Sequence, residues 1–283
     1  MPKIIRLKQE LRKTISEFKL KGLTVGLVPT MGALHEGHTS LVQMSGKQYD
    51  VTVVSIFINP VQFNNKEDLA KYPRNEQRDL DILEEVGCDI VFIPSEDEIY
   101  KTEPVIKINF GHLESVMEGK FRPGHFSGVG LIVGKLLGIL QPDGAYFGQK
   151  DLQQFRVIAT LVQDLDIPVN LHMAPIVREK DGLALSSRNT RLTKEQKFSA
   201  NNLYKALEMA SVVLKTGLPI KETQKKVAKF LDGINDIKLE YFEIVDFETL
   251  ENISSINEGD RLALCIAGYV AGVRLIDNII IEG

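Results

Sequence analysis

Val25-Gly26-Leu27-Val28-Pro29-Thr30-Met31-Gly32-Ala33-Leu34-His35-Glu36-Gly37-His38-Thr39-Ser40-Leu41-Val42 is the segment that sets the architecture of this chain. An apolar run ends at Pro29, a loop of small residues follows, and two histidines three apart arrive where an amphipathic segment begins. The pattern is that of a buried strand, a loop and a helix N-terminus. The free N–H groups and partial positive charge of such a terminus attract phosphate, and side chains at i and i+3 share one face of a helical turn. With Thr30, Gly32 and Gly37 beside the histidine pair, the segment reads as a cradle for a nucleotide triphosphate rather than an ordinary strand-to-helix turn. Zinc is the rival ligand of two histidines. No third Cys, His or carboxylate stands at the usual ligand spacing nearby, although Glu36 lies between the pair, and metal ligands are left unassigned.

On either side of this loop, strand and helix patterns alternate. An amphipathic helix is expected over 5–20, strands over 24–28 and 51–58, and helices over 37–47 and 74–86. Strands over 89–93, 105–110, 144–147 and 169–174 and helices over 128–140 and 152–164 complete the first part. Such alternation implies an α/β fold with a parallel sheet covered on both faces. Near residue 180 the pattern changes to helices over 194–215 and 220–231, then consecutive strands over 239–245, 261–267 and 273–281. That order suggests a smaller α+β domain with an antiparallel sheet. The boundary is placed between Ile176 and Asn189, giving domains of residues 1–177 and 178–283.

A chain of 283 residues suffices for two domains, and 43% hydrophobic with 25% charged residues is an ordinary globular composition. The net charge of −4 argues against a broad basic nucleic-acid surface, so any anion site is a focused one. Neither a nucleic-acid nor a membrane partner is expected. Cys88 and Cys265 each lie in apolar segments, which suits buried thiols in a reducing compartment. The first 21 residues lack a signal-peptide core and no apolar run reaches bilayer-spanning length. A cytoplasmic location is expected.

Four further polar clusters follow apolar runs, where ligand crevices of parallel sheets lie. Asn59, Gln62 and Phe63 suit a small hydroxylated organic substrate: two amides that donate and accept, and an apolar wall. Arg122 and His125 sit in Phe121-Arg122-Pro123-Gly124-His125-Phe126-Ser127-Gly128, where the guanidinium suits carboxylate or phosphate. In Gly148-Gln149-Lys150-Asp151-Leu152-Gln153-Gln154, Lys150 would neutralise phosphate, Asp151 accept from ribose hydroxyls or cap a helix, and Gln154 follow one turn on. Leu185-Ser186-Ser187-Arg188-Asn189 supplies hydroxyl, amide and guanidinium donors, a phosphate clamp that a hinge would bring over a cleft. There is no acid pair for hydrolysis and no nucleophile elbow. The set favours displacement at phosphorus without a covalent enzyme intermediate, the protein positioning reactants and stabilising charge on phosphate oxygens.

These five segments, in this order and spacing, resemble the pantothenate synthetase (pantoate–β-alanine ligase) family over essentially the whole chain. The resemblance implies a Rossmann-like N-terminal domain of the nucleotidyltransferase superfamily, a mobile C-terminal cover and a homodimer. It also implies that pantoate's carboxylate attacks the α-phosphate of ATP, with Mg2+ accompanying the triphosphate, and that β-alanine then displaces AMP from the pantoyl adenylate. By the family pattern His35 and His38 contact ATP phosphates, His38 matching the proton donor of the first step. Thr30, Met31 and Gly32 line the nucleotide loop, Lys150 binds phosphate, and Asp151 with the Gly148 backbone holds ribose. Val177 reads adenine through its backbone, and Ser186, Ser187 and Arg188 form the phosphate clamp. Leu185 stands where many relatives have methionine, a change of little consequence if only backbone touches nucleotide. Gln62 and Gln154 bind pantoate, with the Met31 amide near its carboxylate, and Phe63, Asn59, Arg122 and His125 supply pocket or supporting contacts. The competing readings are a nucleotidyltransferase of the same superfamily with another small acid or phosphorylated acceptor, and a silent nucleotide-sensing module. The absence of an additional phosphate-binding arginine in the Asn59–Phe63 pocket argues against the first of these.

Overall fold

Parallel strands buried on both faces read as unbroken apolar runs, and β-branched residues supply them here. The computed structural model, which describes residues 1–64, 66–70 and 72–282, places β1 at Lys3–Ile5, β2 at Val25–Thr30, β3 at Val51–Ile56, β4 at Ile90–Phe92, β5 at Gly144–Gly148 and β6 at Asn170–Ala174. Between them run helices α1 (Lys8–Leu20), α2 (Glu36–Gln48), α3 (Lys66–Ala70), α4 (Glu76–Glu85), α5 (Glu96–Ile99), α6 (Met117–Phe121), α7 (His125–Leu140) and α8 (Leu152–Asp164). The strand order is β1-β4-β3-β2-β5-β6, every described pair parallel.

That order contains a switch point. From β2 the chain steps outward to β3 and β4, then returns to lay β5 on the other side of β2. In sheets of this kind loops at the carboxyl ends of the strands flank a ligand crevice at the switch point. Val25, Leu27, Val28, Val53, Val54 and Val91 are fully buried, which fixes the sheet as a rigid base beneath those loops.

The remainder folds on an antiparallel base. Helices α9 (Lys194–Lys215) and α10 (Ile220–Asp232) precede β7 (Ile237–Asp246), β8 (Arg261–Val270) and β9 (Val273–Glu282), paired in the order β7-β8-β9. In α9 the buried residues Ala200, Leu203, Ala206, Leu207, Ala210 and Leu214 fall along one helical face and share one core with Leu264 and Ile266 of β8. A capping box between Thr193 and Gln196 starts α9 at the expected residue.

Contacts divide the chain into two units: Met1–Gly148 with Gln153–Pro175, and Gln149–Leu152 with the chain from Ile176 onward. Residues 149–152, next to β5 in sequence, thus group with the C-terminal unit. Among the described residues no helix is long and apolar enough to cross a membrane.

Three local expectations are corrected. The opening helix begins at Lys8, because residues 3–5 pair with β4 as a short edge strand of which only Ile5 is buried. Residues 105–110 form no strand: Val105 and Ile106 are exposed, and the Ile108 N–H donates to Ser127 Oγ rather than to a ladder. The strand expected over 51–58 stops at Ile56, where a 3-10 turn at Pro60–Gln62 is approached.

Candidate functional site

In the N-terminal unit the loop after β2 is shaped from both ends. Thr30 Oγ1 donates to the Ser55 carbonyl at 2.8 Å and accepts the Gly32 N–H at 3.2 Å, pinning the strand end. Asp79 of α4, 2% exposed, accepts the N–H groups of Ala33 and Leu34 at 2.9 and 2.8 Å. These bonds hold Ala33 at φ 52°, a left-handed conformation that alanine adopts only at a cost. Leu34 is thereby buried, and His35 becomes the cap of α2.

Both histidines serve the helix end through the same ring atom. His35 Nδ1 accepts the Gly37 N–H at 3.1 Å, and His38 Nδ1 accepts the His35 N–H at 3.3 Å, a reciprocal capping box made of imidazoles. A nitrogen that accepts carries no proton, so each neutral ring presents Nε2 as its N–H donor. The ring centroids lie 4.1 Å apart. A Cβ on residue 37 would come within 2.9 Å of the His35 ring, so the glycine is what lets the ring lie over its own helix terminus. Two N–H donors are thus concentrated at the positive end of a helix of 13 residues.

A second group forms after β3. Asn59 is 1% exposed; its Nδ2 donates to Gln62 Oε1 at 3.2 Å and to the Gly128 carbonyl at 3.0 Å, while Tyr100 donates its hydroxyl to Asn59 Oδ1 at 2.8 Å. Burial, with the charge of Glu96 adding to it, pushes the Tyr100 phenol up to about 12, so it stays a donor. His125 Nδ1 bonds the Gln62 carbonyl at 2.9 Å. The 3-10 turn sits directly on α7, where a Cβ at Gly128 would lie 2.6 Å from Gln62 Cα. The Gln62 amide is therefore held at both its backbone and its side-chain oxygen. Its Nε2 reaches Met31 Sδ at 3.0 Å, which ties this group to the loop that ends in His35.

The remaining expected residues of this unit lie at its margins. Gly148 closes β5, and Gln154 is the third residue of α8 and half-buried. Phe63 stands edge-on to Tyr72 with centroids 6.0 Å apart. Arg122, between α6 and α7, has Nη1 3.9 Å from Glu118 Oε2.

In the C-terminal unit a tight hairpin carries the other donors. Arg178 bridges Ala184, the Leu185 N–H donates to the Val177 carbonyl at 3.0 Å, and Glu179 and Leu183 pair inside. Ser186 then caps a 3-10 turn over Ser187–Arg191, its Oγ accepting the Arg188 N–H at 3.3 Å, while Asn189 Nδ2 donates to the Ala184 carbonyl. Lys150 belongs to this unit and lines, with Ser186, Asn189 and Asp277, one narrow hollow. Asp151, beside it, is exposed.

The sequence patterns missed several supporting side chains. Asp79 and Tyr100 act on residues more than forty positions away, and no local spacing announces them. Asp277 and Asn278 did leave a trace, two polar residues inside the apolar run from Leu275 to Ile281. Among the described residues, no group of three or more His, Cys, Asp or Glu is placed to hold a metal ion.

Comparison with known proteins gives a consistent picture. The family model described as pantoate-beta-alanine ligase matches residues 3–280. The chain is 47% identical over 274 residues to the pantothenate synthetase of Cytophaga hutchinsonii, covering 96% of this chain and 97% of that protein. It is 44% identical to that of Aquifex aeolicus, covering 98% of each. A solved pantothenate synthetase from Thermus thermophilus matches with a TM-score of 0.91 at 38% identity, covering 98% of both chains. A pantoate-beta-alanine ligase from Francisella tularensis, complexed with beta-gamma ATP and beta-alanine, matches with a TM-score of 0.82 at 35% identity, covering 99% of this chain and 97% of that one.

Proposed function

The chain belongs to the pantoate–β-alanine ligase family, and from that membership we propose that it condenses pantoate with β-alanine to pantothenate, using ATP and passing through a pantoyl adenylate. A carboxylate oxygen of pantoate attacks the α-phosphorus, the bond to the β-phosphate breaks, and pyrophosphate leaves. The amine of β-alanine then attacks the acyl carbon; the bond to the AMP oxygen breaks, and the amide forms as the nitrogen gives up a proton. No side chain needs to form a covalent bond to pantoate or to the adenylate. The demand on the protein is placement of reactants and donors for charge that grows on phosphate oxygens.

The observation that carries this reading is the pair of Nε2–H donors at the start of α2, linked through Met31 to the clamped Gln62 amide. His35 and His38 take phosphate oxygens through their Nε2–H groups, His38 stabilising the charge that grows there as pyrophosphate leaves. Thr30, Met31, Gly32 and Gly148 give the nucleotide its backbone contacts. Gln62 Nε2 spends one hydrogen on a thioether, a weak acceptor that a pantoate oxygen would replace at a gain. Gln154 and Phe63 complete that pocket, with Arg122 at its margin, and Asn59 and His125 hold Gln62 in place. In the C-terminal unit Lys150, Ser186, Ser187 and Arg188 bind phosphate, Asp151 the ribose, and the Val177 and Leu185 backbone the base. Mg2+ would accompany the triphosphate as the Mg–ATP substrate, neutralising part of its charge.

Incubation with ATP, magnesium, pantoate and β-alanine tests the reading. AMP is expected only when both acids are present. Pyrophosphate release that does not depend on pantoate would instead indicate a nucleotidyltransferase with another acceptor, and nucleotide binding without release would indicate a sensing module.

The cytoplasmic placement draws support from Cys88 and Cys265, both buried thiols outside any described disulfide. The homodimer draws support from Val105 and Ile106, 93% and 65% exposed on an extended stretch that another copy would cover. Sedimentation equilibrium is expected to give twice 31.7 kDa, and Val105→Asp with Ile106→Asp to return the mass to one chain. A single-chain mass for the parent protein would refute the dimer.

A further inference from the structure

Two neighbouring residues of β9, Asp277 and Asn278, are 6% and 3% exposed, and each holds a different loop. Asn278 Nδ2 donates to the Gln149 and Lys150 carbonyls at 2.9 and 3.1 Å, and its Oδ1 accepts from Gln149 Nε2 at 3.1 Å. Asp277 accepts both terminal nitrogens of Arg178 at 2.6 and 2.9 Å. Arg178 also donates to the Gly182 carbonyl at 3.0 Å and lies 3.8 Å above the Tyr204 ring. The guanidinium therefore stitches the base and the tip of the 177–185 hairpin to the strand. Lys150, Ser186 and Asp277 line the same hollow.

We propose that Asp277 and Asn278 are positioning residues that lock the Lys150 segment and the Ser186–Arg188 turn into one preassembled subsite for the nucleotide phosphates. The proposal rests on the reading of those loops as phosphate-binding. Successive carbonyls call for two N–H donors in one plane, which an amide supplies; aspartate there would set negative charge against both oxygens. Burial raises the Asp277 carboxyl, and the Arg178 hydrogen bonds and charge oppose that shift. A buried pair of this kind is strongly specifying, because losing either partner strands the other. Since neither residue has a place among the phosphate ligands, its contribution is order: the donors wait in register, and ATP spends less of its binding energy on assembling them.

Asn278→Ala tests this in the full-length protein. The KM for ATP is expected to rise about tenfold while the KM for pantoate stays within about twofold, the split that separates loss of nucleotide positioning from general damage. Asn278→Asp, nearly identical in shape, is expected to be worse than Asn278→Ala. A thermal melt accompanies each variant, and Asn278→Ser, which keeps one donor, replaces Asn278→Ala if that variant melts at the assay temperature. An unchanged ATP KM, equal rises for ATP and pantoate, or wild-type behaviour of Asn278→Asp would each overturn the proposal. Absence of AMP formation dependent on both acids in the wild-type protein would overturn the functional reading itself, and these outcomes are distinct.

Discussion

His38→Ala is expected to fold like the parent and to lose adenylate formation by about 10²–10³-fold, the scale of one charge-stabilising donor removed from the reacting phosphate. The substitution removes the Nε2–H at the positive end of α2 and also the Nδ1 that accepts the His35 N–H. The second loss falls on a helix cap and costs about 1 kcal/mol, small beside the stability of a chain with two cores. His35 keeps its own bond to the Gly37 N–H, so one imidazole remains in place to bind phosphate. ATP–pyrophosphate exchange in the presence of pantoate reads the first half-reaction alone. Near-native exchange in a variant with a normal melting curve would remove His38 from the chemistry.

Gln62→Ala is expected to lower kcat/KM for pantoate by about 10²-fold while changing the KM for ATP little, because a buried amide matched to substrate oxygens discriminates through the groups its loss leaves unpaired. The enclosure makes the effect large. Gln62 is 6% exposed, its oxygen is taken by Asn59, and its backbone carbonyl by His125. Truncation leaves Asn59 Nδ2 with the Gly128 carbonyl alone and a void beside Met31 that water fills poorly. Initial rates over a pantoate series at saturating ATP, then the reverse, separate the two substrates. An equal effect on both would show that Gln62 supports the loop rather than the acid.

Local physics wrote much of the fold into the sequence. Helices α8 and α9 have the expected bounds, since both carry a 3.6-residue apolar period and α9 a capping box. Strands β2, β3 and β8 were legible as apolar runs. The stretch over 105–110 misled because alternation alone does not make a strand; Val105 and Ile106 are exposed, and no described ladder pairs them. Residues 3–5 escaped notice for the opposite reason: Lys3 and Ile4 are exposed, and their strand state depends on the partner β4.

The candidate site divides along the same line. Chemical identity, meaning the imidazole pair, the Asn59–Gln62 amides, Lys150 and the Ser-Ser-Arg turn, could be read from residue types placed after apolar runs, and the family resemblance rested on those residues. Orientation could not. Which nitrogen of His35 and His38 faces outward is decided by N–H groups within the same helix turn, but the loop that delivers them is bent by Asp79 from α4. The plane of Gln62 is set by Asn59, itself fixed by Tyr100 and by a carbonyl of α7. The grouping of Lys150 with the C-terminal unit depends on Asn278, 128 residues away. Periodicity and side-chain chemistry act over a few residues, and so secondary structure and the inventory of reactive groups are written locally along the chain. Loop shape, side-chain tilt and domain membership are selected by buried hydrogen bonds between distant segments, which exist once the chain has folded and leave no local period to read.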